Sequence, residues 1–149
     1  MLVFKKNTIL SSILVILCLS TFGFKAIDSM VQKSATWDET HSFGLGKYLL
    51  KNLAWDVPGS ILHPPLPFYL HSLPLLFFNT PEKIWKFNVK ENPSLQSLGD
   101  ADIFRGQYLL SLPQNENDKL LNLSRLMMVS SALLLGYFIY SWSYSLYGK

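Results

Sequence analysis

The sequence predicts an all-α membrane protein: two transmembrane helices joined by an outer loop that carries short amphipathic juxtamembrane helices. Three observations predict it. Eighteen uncharged residues lie between Lys6 and Lys25, and twenty-three lie between Arg125 and Lys149. Each run is about the length that crosses roughly 30 Å of hydrocarbon as a helix. The 149-residue chain is 49% hydrophobic and 14% aromatic, which is rich for a soluble domain of that size.

The third observation is how the charge divides. The net charge is +3, but residues 26–125 hold nine basic and ten acidic side chains. The excess is Lys5, Lys6, Lys25 and Lys149, all flanking the apolar runs. The basic balance therefore reports topology and excludes nucleic acid as the partner it would otherwise suggest. Lys5 and Lys6 place the N-terminus in the cytoplasm, with the loop outside and Lys149 back inside; Lys25 weakens this bias without reversing it. The expected organisation is a single unit integral to the inner or plasma membrane. It has a span at about 7–26, an outer loop at about 27–124 and a second span at about 126–147.

Taken in order, the first run exceeds the roughly 7–15 apolar residues of a cleaved signal and reads as an uncleaved signal-anchor. Cys18 is the sole cysteine, so no intrachain disulfide forms, and inside the span it serves as a small apolar residue. Residues 26–36 form a short polar connector. Thr36 or Asp38 can cap the next helix, with Glu39 favouring its positive end. Phe43, Leu45, Tyr48, Leu49, Leu50 and Leu53 then recur at helical spacing, with Lys47 and Lys51 placed on the wet side. Gly44 and Gly46 weaken this helix, so packing must hold it.

Asp56 to Ser60 reads as a turn, and His63 before Pro64 is pushed to extended geometry. Pro64 and Pro65 stiffen the step into Leu66–Phe78. That thirteen-residue apolar run is too short to span and suits an interfacial or re-entrant segment, its aromatics Phe68, Tyr69, Phe77 and Phe78 suiting the headgroup boundary. Thr80-Pro81-Glu82-Lys83 has the pattern of a helix start, and Asn92-Pro93 that of its end. Residues 93–102 read as loop, 103–112 as a helical turn or two before Pro113, and 115–118 as a polar break ahead of the second span.

The residues able to carry chemistry cluster at the loop's start. Asp38 and Glu39 are adjacent carboxylates just outside a span, with Trp37 beside them and a rigid His-Pro-Pro turn downstream. Paired acids at a helix start most often serve the helix itself. His41 and His63 with these acids lack the close spacing of a metal site, so no metal and no other cofactor is expected. Arg125, where the chain re-enters the bilayer, reads either as a snorkelling cation or as a phosphate contact. Trp37 and Trp55 can stack on a sugar or sit at the interface.

Trp37-Asp38-Glu39 followed by Gly and Tyr48-Leu49-Leu50, then His63-Pro64-Pro65-Leu66 leading into an aromatic run, resembles the first outer loop of the multispanning GT-C glycosyltransferases. The branch it looks like contains the protein O-mannosyltransferases and the aminoarabinose transferase of lipid A. Ser124-Arg125-Leu126 and the closing Leu146-Tyr147-Gly148 resemble the same family's second span. The resemblance implies transfer of a sugar from a polyprenyl-phosphate donor to a hydroxyl of a lipid, glycan or protein at the outer face. Asp38 matches the family's acidic residue and is expected to be the general base. Glu39 would orient the acceptor or tune Asp38, while Trp37, His63 and Arg125 would bind substrate. Such enzymes have many more spans, so the chain is expected to be an N-terminal fragment or one part of a split enzyme, inactive alone. The rival expectation is a small two-span accessory protein whose loop binds a membrane partner, Asp38 and Glu39 only capping a helix.

Overall fold

The computed structural model describes residues 2–53, 65–79 and 98–148, and all regular structure among them is helical. In order come α1 (Leu2–Val31), α2 (Trp37–Asn52), α3 (Pro65–Ser72), a 3-10 turn (Leu73–Phe77), α4 (Leu98–Leu110), a second 3-10 segment (Pro113–Asp118) and α5 (Lys119–Tyr147). Two helices are long and apolar enough to cross a membrane, over Ile9–Val31 and Lys119–Tyr147. The turn expected at 56–60, the His63-Pro64 step and the helix expected from Thr80 lie outside the described residues.

The chain divides into two compact units, Met1–Lys33 with Val129–Lys149, and Ser34–Met128. In the first, α1 pairs with the C-terminal part of α5. Ser12 Oγ lies 2.7 Å from Tyr140 Oη, Leu19 fills the space over Gly136, and a Cβ added to Gly23 would lie 3.5 Å from the Leu133 side chain. As numbers rise along α1 they fall along α5, so the two run antiparallel. Most other large side chains of these stretches, among them Ile16, Leu17, Leu135 and Phe138, are exposed.

α1 runs further than the sequence suggested, through Ala26–Val31. That segment holds no glycine or proline, and Gln32 Nε2 bonds Asp28 Oδ1 at 2.9 Å one turn back.

In the second unit α2 is the hub, packed against α3, α4 and the 3-10 turn. Its glycines permit this. A Cβ on Gly44 would strike the Asp102 carbonyl of α4, one on Gly106 the Thr40 carbonyl of α2, and one on Gly46 the Phe68 carbonyl and Ser72 hydroxyl of α3. At Gly44 and Gly106 the backbones of α2 and α4 thus meet with no side chain between them. The buried core is Phe43, Leu75, Leu109, Leu120 and Leu121, with a smaller cluster of Leu45, Leu49 and Phe68.

Two expectations change here. Lys47 is not on a wet face: it is 7% exposed, and its ammonium donates to the carbonyls of Leu75 and of Phe78, the latter at 3.2 Å. Residues 43–47 are buried consecutively because α2 has neighbours on several sides, so its stem has no solvent face there. And α4 begins at Leu98, inside the stretch read as loop; Asp102 and Arg105, one turn apart, pair at 2.6 Å within it.

Asn115 joins α4 to α5. Its Nδ2 donates to Leu110 O at 2.8 Å, and its Oδ1 accepts from Leu120 N at 2.9 Å and Leu121 N at 3.3 Å. One amide therefore satisfies a C-terminal carbonyl of one helix and two N-terminal donors of the next.

Replacing Gly106 with alanine is expected to lower stability by about 1–3 kcal/mol, because the methyl meets backbone that cannot rotate away. Gly23→Ala, whose Cβ finds ordinary contact distance, is expected to cost nothing measurable. Unfolding of the two variants in detergent checks the contrast.

Candidate functional site

Thr36, with φ −87° and ψ 165°, is the N-cap of α2 and forms a capping box with Glu39. Glu39 N–H donates to Thr36 Oγ1 at 3.4 Å, and Thr36 N–H donates to Glu39 Oε2 at 2.8 Å. Two of the helix's unpaired donors are satisfied this way. Of the two capping residues the sequence offered, Thr36 is the one used.

Arg125 completes the arrangement. Its Nε donates to Glu39 Oε1 at 2.6 Å, and its second terminal nitrogen to Glu39 Oε2 and Ser34 O, each at 2.8 Å. This is the two-pronged geometry that makes guanidinium–carboxylate pairs strong. The guanidinium is mostly buried, its side chain 10% exposed against 20% for Glu39. Burial by itself would raise the Glu39 pKa. The bonds from Arg125 and Thr36 outweigh it and hold the carboxyl below its ordinary value.

The sequence-derived residues therefore separate. Glu39 and Arg125 come together, each engaged by the other. Asp38 and Trp37 occupy the same first turn but stand exposed, Trp37 at 64%. His63 and Trp55 lie outside the described residues. His41 is half-buried, edge-on to Phe68 at 5.6 Å. Among the described residues no three His, Cys, Asp or Glu side chains gather as metal ligands would.

Beside the pair stands a residue of the Leu66–Phe78 run to which the sequence pattern assigns no role. His71 is 6% exposed and packs edge-on to Phe43 at 4.8 Å. Its Nδ1 has no hydrogen-bond partner among the described residues. Burial pushes its pKa down to about 4; the Glu39 charge works against this and the Arg125 charge adds to it. Asp102 was missed too. Burial raises its pKa, partly offset by Arg105 and His41, and Arg105 also lies 5.5 Å from the Tyr48 ring centre. An acid and an arginine at i,i+3 are a signal the sequence did offer. His71 offered none, because its partners lie far along the chain.

Chemically, the arrangement presents one exposed carboxylate and one exposed indole on a helix start that a second carboxylate holds still. No known protein family, curated protein or solved structure matches the chain.

Two measurements follow from this geometry. Glu39→Gln is expected to destabilise the chain by about 2 kcal/mol, since it removes charge-assisted bonds and leaves a buried guanidinium underpaired, whereas Asp38→Asn leaves the unfolding midpoint nearly unchanged. Acidification is expected to weaken the fold between pH 6.5, the ordinary histidine value, and about 4. In that window unfolded chains take up a proton that folded His71 refuses, so stability falls with pH by up to about 1.4 kcal/mol per unit. His71→Gln is expected to flatten that slope in a pH-resolved unfolding series.

Proposed function

We propose that this chain is the N-terminal portion of an inverting membrane glycosyltransferase of the GT-C kind, with Asp38 as general base. In this reading α1 and α5 cross the membrane with the N-terminus in the cytoplasm, and the unit between them lies along the outer face as juxtamembrane helices. The observation that carries it is the split between neighbouring acids: Glu39 is bound on both oxygens while Asp38, beside an exposed tryptophan, faces solvent.

The chemistry asks for such an acid. An acceptor hydroxyl is a poor nucleophile until a carboxylate within hydrogen-bond reach takes its proton. Asp38 accepts that proton as the acceptor oxygen bonds to the sugar's anomeric carbon. The bond from that carbon to the donor's phosphate oxygen breaks, and polyprenyl phosphate leaves with the electron pair. Positive character on the sugar carbon during the exchange favours a nearby anion. The Trp37 indole offers a face on which a sugar ring stacks. Glu39 and Arg125 act as positioning residues, holding the turn that presents Asp38, and His63 remains a candidate donor contact. By the resemblance, further spans complete the donor pocket.

A second reading has an observation of its own. The capping box and the Arg125 pair account for Glu39 with no reaction at all, as a two-span accessory protein with a partner-binding loop requires.

The test joins the chain to the remaining spans of an enzyme of this kind and measures transfer from a polyprenyl-phosphate sugar. Asp38→Asn is expected to lower turnover about 10²–10⁴-fold, the usual contribution of a general base, with insertion into the membrane unchanged. Near-normal turnover in that variant would sink the assignment and favour the accessory protein.

A further inference from the structure

Residues 75–78 form a closed turn. Phe78 N–H donates to Leu75 O at 3.3 Å, and the buried Lys47 ammonium donates to the carbonyls of both residues. Leu75 is fully buried in the core and Phe78 packs against it. Between these anchored ends, Leu76 is 50% exposed and Phe77 is 87% exposed. A turn tip in water ordinarily carries Gly, Asn, Asp, Ser or Pro. Here it carries two large apolar side chains on a backbone too well tied to fold them away. Close by, the exposed Lys119 stands with its ammonium 5.7 Å from the centre of the Phe78 ring.

We propose that this turn is a membrane anchor: Leu76 and Phe77 enter the acyl chains at the bilayer surface, and Lys119 meets the phosphate of an anionic headgroup. The inference rests on the reading of α1 and α5 as spans. That reading also identifies the occupant, because the unit bearing the turn continues at both ends into helices long and apolar enough to cross a membrane. It is therefore tethered beside lipid at all times. An aromatic residue at the tip with a lysine alongside is the chemistry that seats protein at the headgroup boundary. The turn also refines the aromatic run as a whole. Phe68 is buried and Phe78 faces the core, which leaves Phe77 as the aromatic of the run that projects most.

Site-directed spin labelling tests this on the full chain. Cys18→Ser removes the sole native thiol, and a nitroxide is attached at Phe77→Cys or, as a reference in α1, at Ile16→Cys. The protein is reconstituted in vesicles of phosphatidylcholine and phosphatidylglycerol. The Phe77 label is expected to collide several-fold more with oxygen than with a water-soluble nickel chelate, relative to a hydrated nitroxide. Adding Lys119→Glu is expected to lower that ratio. A hydrated Phe77 label beside a lipid-embedded Ile16 label overturns the anchor alone, and a hydrated Ile16 label overturns the span reading with it. Broadening of the Phe77 spectrum that sharpens on dilution with unlabelled chain overturns lipid as occupant in favour of a second copy. A ratio indifferent to Lys119→Glu overturns the headgroup contact.

Discussion

One guanidinium ties together the two ends of the unit that runs from Ser34 to Met128. Arg125, near the start of α5, binds Ser34 O just after α1 and both carboxylate oxygens of Glu39 at the start of α2. These contacts close a loop of some ninety residues. Loop-closure entropy grows only slowly with length, so the same bonds would hold a much longer insertion nearly as well. With both ends pinned, α2 starts in a defined direction, and the packing of α3, α4 and the 3-10 turn against it follows. The arrangement is demanding because its charges are mostly buried. A partner lost on either side leaves the other without water to replace it.

The two adjacent acids show how environment assigns roles. Asp38 and Glu39 are chemically near-identical and consecutive, yet one has every oxygen engaged and the other faces solvent. The same division appears where enzymes use paired carboxylates for different purposes. Here the stiffness of the helix start is supplied by Glu39, which leaves the Asp38 carboxylate open to solvent.

What the sequence made legible follows from range. The two apolar runs were readable because a span is a local property of some twenty residues. The need to pack around Gly44 and Gly46 was legible, though not that the contacts would be the backbones of α4 and α3. Lys47 was misjudged because helical periodicity assumes one buried face, and α2 is buried on several. The pairing of Glu39 with Arg125 could not be read at all. Each residue was singled out separately, but nothing local joins positions 86 apart. The buried His71 escaped for the same reason: its surroundings are assembled from α2 and α5, not from its own segment.

The hydroxyl contact between Ser12 and Tyr140 has a consequence for assembly. Were α1 and α5 to slide past one another by one helical turn, Ser12 and Tyr140 would lose each other's hydroxyl, and Leu19 would lose the notch over Gly136. The helical hairpin therefore has a single favoured registration, set by one polar pair and one size match.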